Sequence, residues 1–258
     1  MKYNGAMEIT TRIGCKINCS YCPQGTLIRN YTKDSRIIEM SLDTFKTCMD
    51  KVPHTHRIDF SGMSEPFLNS STIDMMQYAV ESGFSDMVLY STLEGLKFED
   101  IHRLKDFPFS IIEIHLADQH NNSKITVDEN YLKNVEFTAN HLDCSYMSHG
   151  KVNESLLLIL KDKQVREIST DDGSVIDRAG NIEVGEKLNK SGKLKCASSG
   201  LLYDRNVLLP NGDVLLCCMD YGMEAKLGNL LTDSYEDLNR LKEAGFDICR
   251  RCDLSIQI

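Results

Sequence analysis

Short apolar runs separated by helical patterns constrain this chain more than any other feature. AMEITTRI (6–13), HRIDFSG (56–62), SDMVLYST (85–92) and SIIEIHLAD (110–118) read as strands, with DCSYMS (143–148) and SVIDRAGNI (174–182) as later ones. Between them SLDTFKTCMDKV (41–52), STIDMMQYAVESG (71–83), KFEDIHRLKDF (97–107), VDENYLKNVEFTANH (127–141) and VNESLLLIL (152–160) read as helices. Ser41 and Asp128 are the expected N-caps and Gly83 a helix stop. This alternation implies parallel strands with helical crossovers, in an open α/β sheet or a barrel. The strands decide between the two. Glu8 and Thr10 oppose Met7 and Ile9, Asp59 and Ser61 oppose Ile58 and Phe60, and Glu113 and His115 oppose Ile112, Ile114 and Leu116. A doubly wound sheet would bury both faces and read as almost continuously apolar. One polar face per strand fits the inside of a barrel that holds a charged ligand. The expectation is an α/β fold, an incomplete (β/α) barrel of five to six units.

From about residue 186 the texture becomes polar and loop-like, and then RNVLLPNGDVLLCCMD (205–220) reads as a β-hairpin turning at Pro210-Asn211-Gly212. A short helix, SYEDLNRLKEAG (234–245), precedes Cys249-Arg-Arg-Cys252. Residues 1–185 are thus expected to form the partial barrel and 186–258 a small cysteine-rich domain of hairpin plus helix. A net charge of −9 with no basic run speaks against a nucleic-acid partner. The longest aliphatic run, LLLIL, is too short to span a bilayer, and the first residues carry no apolar signal-peptide stretch. No membrane association and a cytoplasmic location are expected. In that reducing setting ten cysteines favour metal ligation over disulfides.

Three of them crowd into GCKINCSYCPQ (14–24), as Cys15, Cys19 and Cys22 straight after the first strand. Structural zinc takes four protein ligands, usually as two separated pairs, whereas a [4Fe–4S] cluster held by three cysteines keeps one iron open to a small molecule. An incomplete zinc site is the plainer alternative. The CxxxCxxC spacing, with an aromatic before the last cysteine, resembles the radical S-adenosylmethionine (SAM) superfamily. The resemblance implies that Cys15, Cys19 and Cys22 hold the cluster and that Tyr21 packs near the adenine of SAM. SGMSEPF (61–67) is similar to the family's Gly-Gly-Glu-Pro-like motif: Glu65 and Pro66 match, and Met63 and Ser64 stand where the glycines usually do. Ser64 and Glu65 are therefore candidate SAM contacts. Ser91 and Thr92, ending the third strand, match positions that contact the ribose. His115, ending the fourth, would face SAM or substrate, or serve as a structural histidine.

Cys196, Cys217, Cys249 and Cys252 make a second, widely spaced set that suits either structural zinc or a closed iron–sulfur site. Gly212 to Cys217 resembles the Gly-x4-Cys hairpin, and Cys249 to Cys252 the CxxC, of SPASM and Twitch extensions. The cysteine count favours the Twitch type, with one auxiliary [4Fe–4S] cluster. Cys218 then points away from that set, as alternate hairpin residues do. Cys48 and Cys144 read as small buried hydrophobes.

Together the resemblances imply two [4Fe–4S] clusters, SAM, and an electron donor such as flavodoxin or ferredoxin. DRAGN (177–181) ahead of the second set is similar to the Twitch-type aminocyclitol dehydrogenases, which places Arg178 on a substrate oxygen; an ordinary turn arginine is the alternative. The expected activity is oxidation of an alcohol carbon of a small polar, carbohydrate or aminocyclitol-like substrate, with the auxiliary cluster accepting an electron. A radical epimerase with Cys218 or Cys144 as hydrogen donor is the runner-up. Peptide modification, a zinc-stabilised binding protein and a ferredoxin-like carrier follow.

Overall fold

The computed structural model describes residues 5–169, 176–183, 188–196, 205–241 and 246–258. Six strands, β1 (Ala6–Ile9), β2 (Arg57–Phe60), β3 (Met87–Ser91), β4 (Phe109–Leu116), β5 (Ser145–His149) and β6 (Val165–Ile168), lie parallel in chain order. Helices α1 (Gln24–Asp34) and α2 (Leu42–Met49) cross from β1 to β2, α3 (Thr72–Glu81) from β2 to β3, and α4 (Glu129–His141) from β4 to β5. Parallel neighbours need such crossovers. The result is the incomplete (β/α) barrel expected, with a cysteine-rich C-terminal region.

That region joins the same sheet. Strand β8 (Arg205–Leu208) pairs in parallel with the free edge of β1, and β9 (Asp213–Leu215) and β10 (Lys226–Asn229) continue antiparallel beyond it. The hairpin turns at Gly212, whose φ of +85° is open to glycine. A separate pair, β7 (Leu194–Cys196) and β11 (Ser255–Gln257), and helix α5 (Tyr235–Leu241) complete the described chain.

The caps stand where the sequence places them: Ser41 accepts from Thr44 N–H at the start of α2, Asp128 accepts from Tyr131 N–H at the start of α4, and Gly83 (φ +98°) stops α3. Two expected helices are only short 3-10 segments, Ile101–Asp106 and Glu154–Leu156. The second sends Val152, Leu156 and Leu160 inward while Leu157 and Leu158 face solvent, and its one turn is too short to propagate a helix. Of the expected strand 174–182, residues 174–175 lie outside the described residues and 176–182 form turns. Helix α1 was not foreseen. It buries Leu27 and Tyr31 against Val207, Leu209 and Leu215 of the hairpin, so its apolar partners lie far along the chain. No described helix is long and apolar enough to cross a membrane.

Strand alternation gives the barrel its two sides. Met7, Ile9, Ile58, Phe60, Met87, Leu89, Ile112, Ile114 and Tyr146 join the main core, which α2 and α3 complete with Phe45, Met49, Met75 and Met76. Glu8, Asp59, Tyr90, Glu113, His115 and Met147 line the interior. Phe45 is fully buried, with its ring 6.1 Å from that of Phe60. Phe45→Ala should cost about 3–5 kcal/mol of stability through the cavity it leaves. Urea unfolding monitored by circular dichroism measures this, and a loss below 1 kcal/mol would mean that α2 packs more loosely than described.

Candidate active site

The loop from β1 into α1 carries the cysteine triplet. Asn18 takes a left-handed conformation (φ 43°), and Asn18 N–H and Cys22 N–H donate to the Cys15 and Cys19 carbonyls, so two tight turns fold the three thiols towards one side. The loop after β4 braces them. Asp118 accepts from the N–H groups of His120, Asn122 and Ser123, and from that platform Lys124 N–H donates to Ile17 O while Ser20 N–H donates to Asn122 O. Cys15, Cys19 and Cys22 all line one cavity of about 420 Å³ at the C-terminal ends of the strands. Ligands of parallel barrels gather there. None of the three is in a disulfide.

Around the triplet the expected contacts fall into two groups. Glu65, 5% exposed, is fully engaged: it accepts from Phe67 N–H (3.1 Å), Ser91 Oγ (2.7 Å), Thr92 N–H (2.6 Å) and Thr92 Oγ1 (2.8 Å). Burial raises its pKa, and these donors oppose the rise. Glu65, Ser91 and Thr92 thus satisfy one another and lock the end of β3 to the segment after β2. Ser64 is the reverse case, because its Oγ is buried without a hydrogen-bond partner. Gly62 sits beside it with φ +40°, where a Cβ would meet Thr10 Oγ1 at 2.5 Å and Ile9 O at 2.6 Å. The backbone there runs against β1 as only glycine allows. Tyr21 stacks on His149, with centroids 3.6 Å apart and planes at 26°. Burial first, and the neighbouring His115, push the His149 pKa down to about 4, so the ring is neutral at pH 7.

The interior face supplies the floor. Arg57 grips Asp59 through two bonds (2.6 and 2.7 Å), and Arg205 stands 3.9 Å from it. Glu113 pairs with Arg166 (2.9 Å) and with His115 (3.3 Å), and His115 lines the cavity as expected. Glu8 lies opposite Asp59 in register and is 5% exposed, yet no described cation is within ion-pair distance of it. Ser61 Oγ donates to it at 3.5 Å, and the Cys218 thiol hydrogen-bonds it. Arg178 enters the cavity from a turn in which Arg178, Ala179 and Gly180 have φ of 52°, 55° and 79°. Three successive left-handed residues are costly for L-amino acids. Asp177 holds the turn by accepting from Ala179 N–H (2.9 Å), while its own N–H donates to Asp253 (2.8 Å).

The second set stands at the far side of the hairpin. Cys196, Cys217, Cys249 and Cys252 line a small cavity of about 50 Å³ with Ile248, Met219 and Leu254. The ladder pairs Cys196 with Ser255, three residues past Cys252. Cys218, expected to point away from this set, borders its cavity as well as the large one, where it faces Glu8; Cys144 lies elsewhere, its thiol donating to the Tyr146 hydroxyl (3.1 Å). Cys48 is buried in the core.

Among the described residues, no group of three or more His, Cys, Asp or Glu is arranged to hold a metal ion. The thiols of a [4Fe–4S] cluster bind separate irons and stand wider apart than ligands sharing one ion. Three cysteines around an open cavity, beside an orphaned hydroxyl at Ser64, have the donor set and the vacancy for such a cluster with a polar ligand on its fourth iron. Burial pushes Cys15 up and Cys19 up to about 12, and a bound cation would reverse that shift. Sequence reasoning missed Gln24 and Tyr221 in this cavity and His149 behind Tyr21, and it gave Glu8 no role there. Only Glu8 had a legible signal, its place on the polar face of β1.

Burial, followed by repulsion from Asp59, raises Glu8 from its ordinary 4.5 to about 7, against the pull of Arg205 and Arg178 and the Cys218 hydrogen bond. The native chain therefore keeps a proton that the unfolded chain releases. The resulting stability is full below about pH 4.5 and is lost as pH rises through about 7. Glu8→Gln should flatten that stretch of the stability profile and exceed wild type above pH 7 by up to roughly 3 kcal/mol. Urea unfolding at pH 5 and pH 8 tests this, and a variant less stable than wild type at pH 8 would contradict it.

The fold is shared with several solved structures. BtrN in complex with AdoMet and 2-DOIA superposes with a TM-score of 0.60 at 17% identity, over 98% of this chain and 94% of that one. Native anSMEcpe with bound AdoMet and Kp18Cys peptide gives 0.59 at 12% identity, over 96% and 86%. Streptococcus suis SuiB bound to precursor peptide SuiA gives 0.61 at 11% identity, over 98% and 70%. No model of a known protein family matches the chain. In sequence, the chain is similar to the probable dual-specificity RNA methyltransferase RlmN of Shouchella clausii (strain KSM-K16), 31% identical over 80 residues, which is 30% of this chain and 22% of that protein. The likeness is one of fold, and it extends over 96–98% of this chain.

Proposed function

We propose that this chain is a radical SAM enzyme that oxidises an alcohol carbon of a small polar substrate, carbohydrate or aminocyclitol-like, to a ketone. The observation that carries this reading is the meeting, in one cavity, of three thiols lacking a fourth with a floor where Glu8 and Arg178 have no ion-pair partner among the described residues. That BtrN, anSMEcpe and SuiB share the fold, and that BtrN and anSMEcpe bind AdoMet, supports it.

Cys15, Cys19 and Cys22 would hold a [4Fe–4S] cluster. Such a cluster, bound with SAM on its open iron and reduced by a flavodoxin or ferredoxin, supplies the 5′-deoxyadenosyl radical that removes a C–H hydrogen. The chain's own residues do the rest. Ser64 offers its unpaired hydroxyl to SAM, and the Tyr21–His149 pair forms an apolar platform beside the cysteines, neutral at pH 7. Glu65, Ser91 and Thr92 act through position: by satisfying one another they hold the β3 end as the wall of the SAM site. Arg178 remains charged: burial alone would lower its pKa, but Tyr221, Cys218, Cys22 and Glu8 outweigh it. Its guanidinium is suited to donate to a substrate oxygen, and a Glu8 carboxylate oxygen to hold the hydroxyl proton. His115, held by Glu113, lines the same space. The closed set of Cys196, Cys217, Cys249 and Cys252 is where an auxiliary [4Fe–4S] electron acceptor would sit. A cavity of about 420 Å³ that must also take SAM leaves room for a small molecule rather than a folded peptide.

A radical epimerase is the second reading, because Cys218 lines the cavity with its thiol kept protonated by burial and by Glu8. In deuterated water an epimerase would place solvent deuterium on carbon, and Cys218→Ala would stop it; a dehydrogenase gives a product about two mass units lighter and tolerates that change.

Anaerobic reconstitution should load about eight irons per chain, against about four if the second set holds zinc. Dithionite with SAM should then release 5′-deoxyadenosine, and Cys15→Ala should reduce this to background. Release that survives Cys15→Ala would overturn the radical reading.

A further inference from the structure

The three sulfurs of the triplet differ in what touches them. Cys19 hydrogen-bonds the hydroxyl of its loop neighbour Tyr21. Cys22 is met from elsewhere in the fold: Tyr221 Oη stands 3.6 Å from Cys22 Sγ, and Gln24 Nε2 donates to the same sulfur at 3.6 Å. Gln24 is fixed by donating also to Met63 O, while its Oε1 accepts from Cys15 N–H (3.4 Å). Tyr221 is fixed too. Its ring is 4% exposed among Ile13, Leu27, Val207 and Leu215. The turn that carries it is closed by Asp220, which accepts from Glu224 N–H and Ala225 N–H, both at 2.8 Å. That turn follows directly on Cys217 and Cys218.

A hydroxyl donated to a cluster thiolate withdraws charge from it and favours the more negative, reduced state, which raises the reduction potential. We propose that the Tyr221 hydroxyl, donating to Cys22 Sγ, is a tuning residue that sets the reduction potential of the cluster on the first cysteine set. The inference rests on the reading that Cys15, Cys19 and Cys22 hold a cluster.

Tyr221→Phe removes the hydroxyl and keeps the ring. Leu215→Ala loosens the same packing and leaves the hydroxyl. Both reconstituted variants and the wild type are titrated potentiometrically and followed by EPR, with the SAM-responsive signal marking the first cluster. Tyr221→Phe should keep full iron content and shift that cluster to a more negative potential, lowering its reduced fraction at the wild-type midpoint several-fold. The second cluster should not move, and Leu215→Ala should shift neither. An unchanged potential in Tyr221→Phe, or an equal shift in Leu215→Ala, overturns the proposal. A wild-type first set that takes up no iron overturns the reading beneath it instead, and the iron content shows which has failed.

Discussion

The parallel pairing of β8 with β1, from Ala6 beside Arg205 to Ile9 beside Leu208, is the contact on which the rest of this molecule depends. Without it the barrel would end at an unpaired β1 edge, a row of open backbone groups. With it, the hairpin presses Val207 and Leu215 onto α1, sets Cys218 against Glu8 and brings Tyr221 to Cys22. Four contributions to the cavity, Arg205, Cys218, Tyr221 and the support of α1, come from this one junction. The cysteine-rich region is thus a wall of the site as well as a holder of its own four cysteines.

Inside that wall the charges are distributed unevenly, and the unevenness has a chemical use. A buried ion is costly unless it is paired or well hydrogen-bonded. Asp59, Glu113 and Glu65 are satisfied by Arg57, by Arg166 with His115, and by four donors. Glu8 and Arg178 are the exceptions, one with no described cation within ion-pair distance and the other held by three left-handed residues in a row. Groups kept polar, buried and incompletely partnered in a cavity are those a ligand can complete. A substrate hydroxyl would satisfy both, donating to the carboxylate and accepting from the guanidinium.

How far the sequence shows this depends on the range of the forces involved. The polar faces of β1, β2 and β4 are period-two patterns, local by nature, and they place Glu8, Asp59, Glu113 and His115 inside the barrel correctly. Ser41 and Asp128 cap their helices because capping needs only three residues. Helix α1 has no such local signature: Leu27 and Tyr31 gain their burial from the hairpin, and Pro23 offers no side-chain cap. The Tyr221–Cys22 contact and the Tyr21–His149 stack are long-range for the same reason. Ser91 and Thr92 show the opposite case, in which position was legible and engagement was not, because their hydroxyls turn to Glu65.

On the proposed function, an open cysteine triplet and a closed cysteine quartet would divide the labour. EPR of the reconstituted, reduced protein with and without SAM tests it most directly. Two cluster signals are predicted, of which SAM alters one, and that one should vanish when Cys15, Cys19 and Cys22 are replaced together by alanine while the other persists. A SAM-responsive signal that survives the triple replacement, or two signals both indifferent to SAM, would contradict the account.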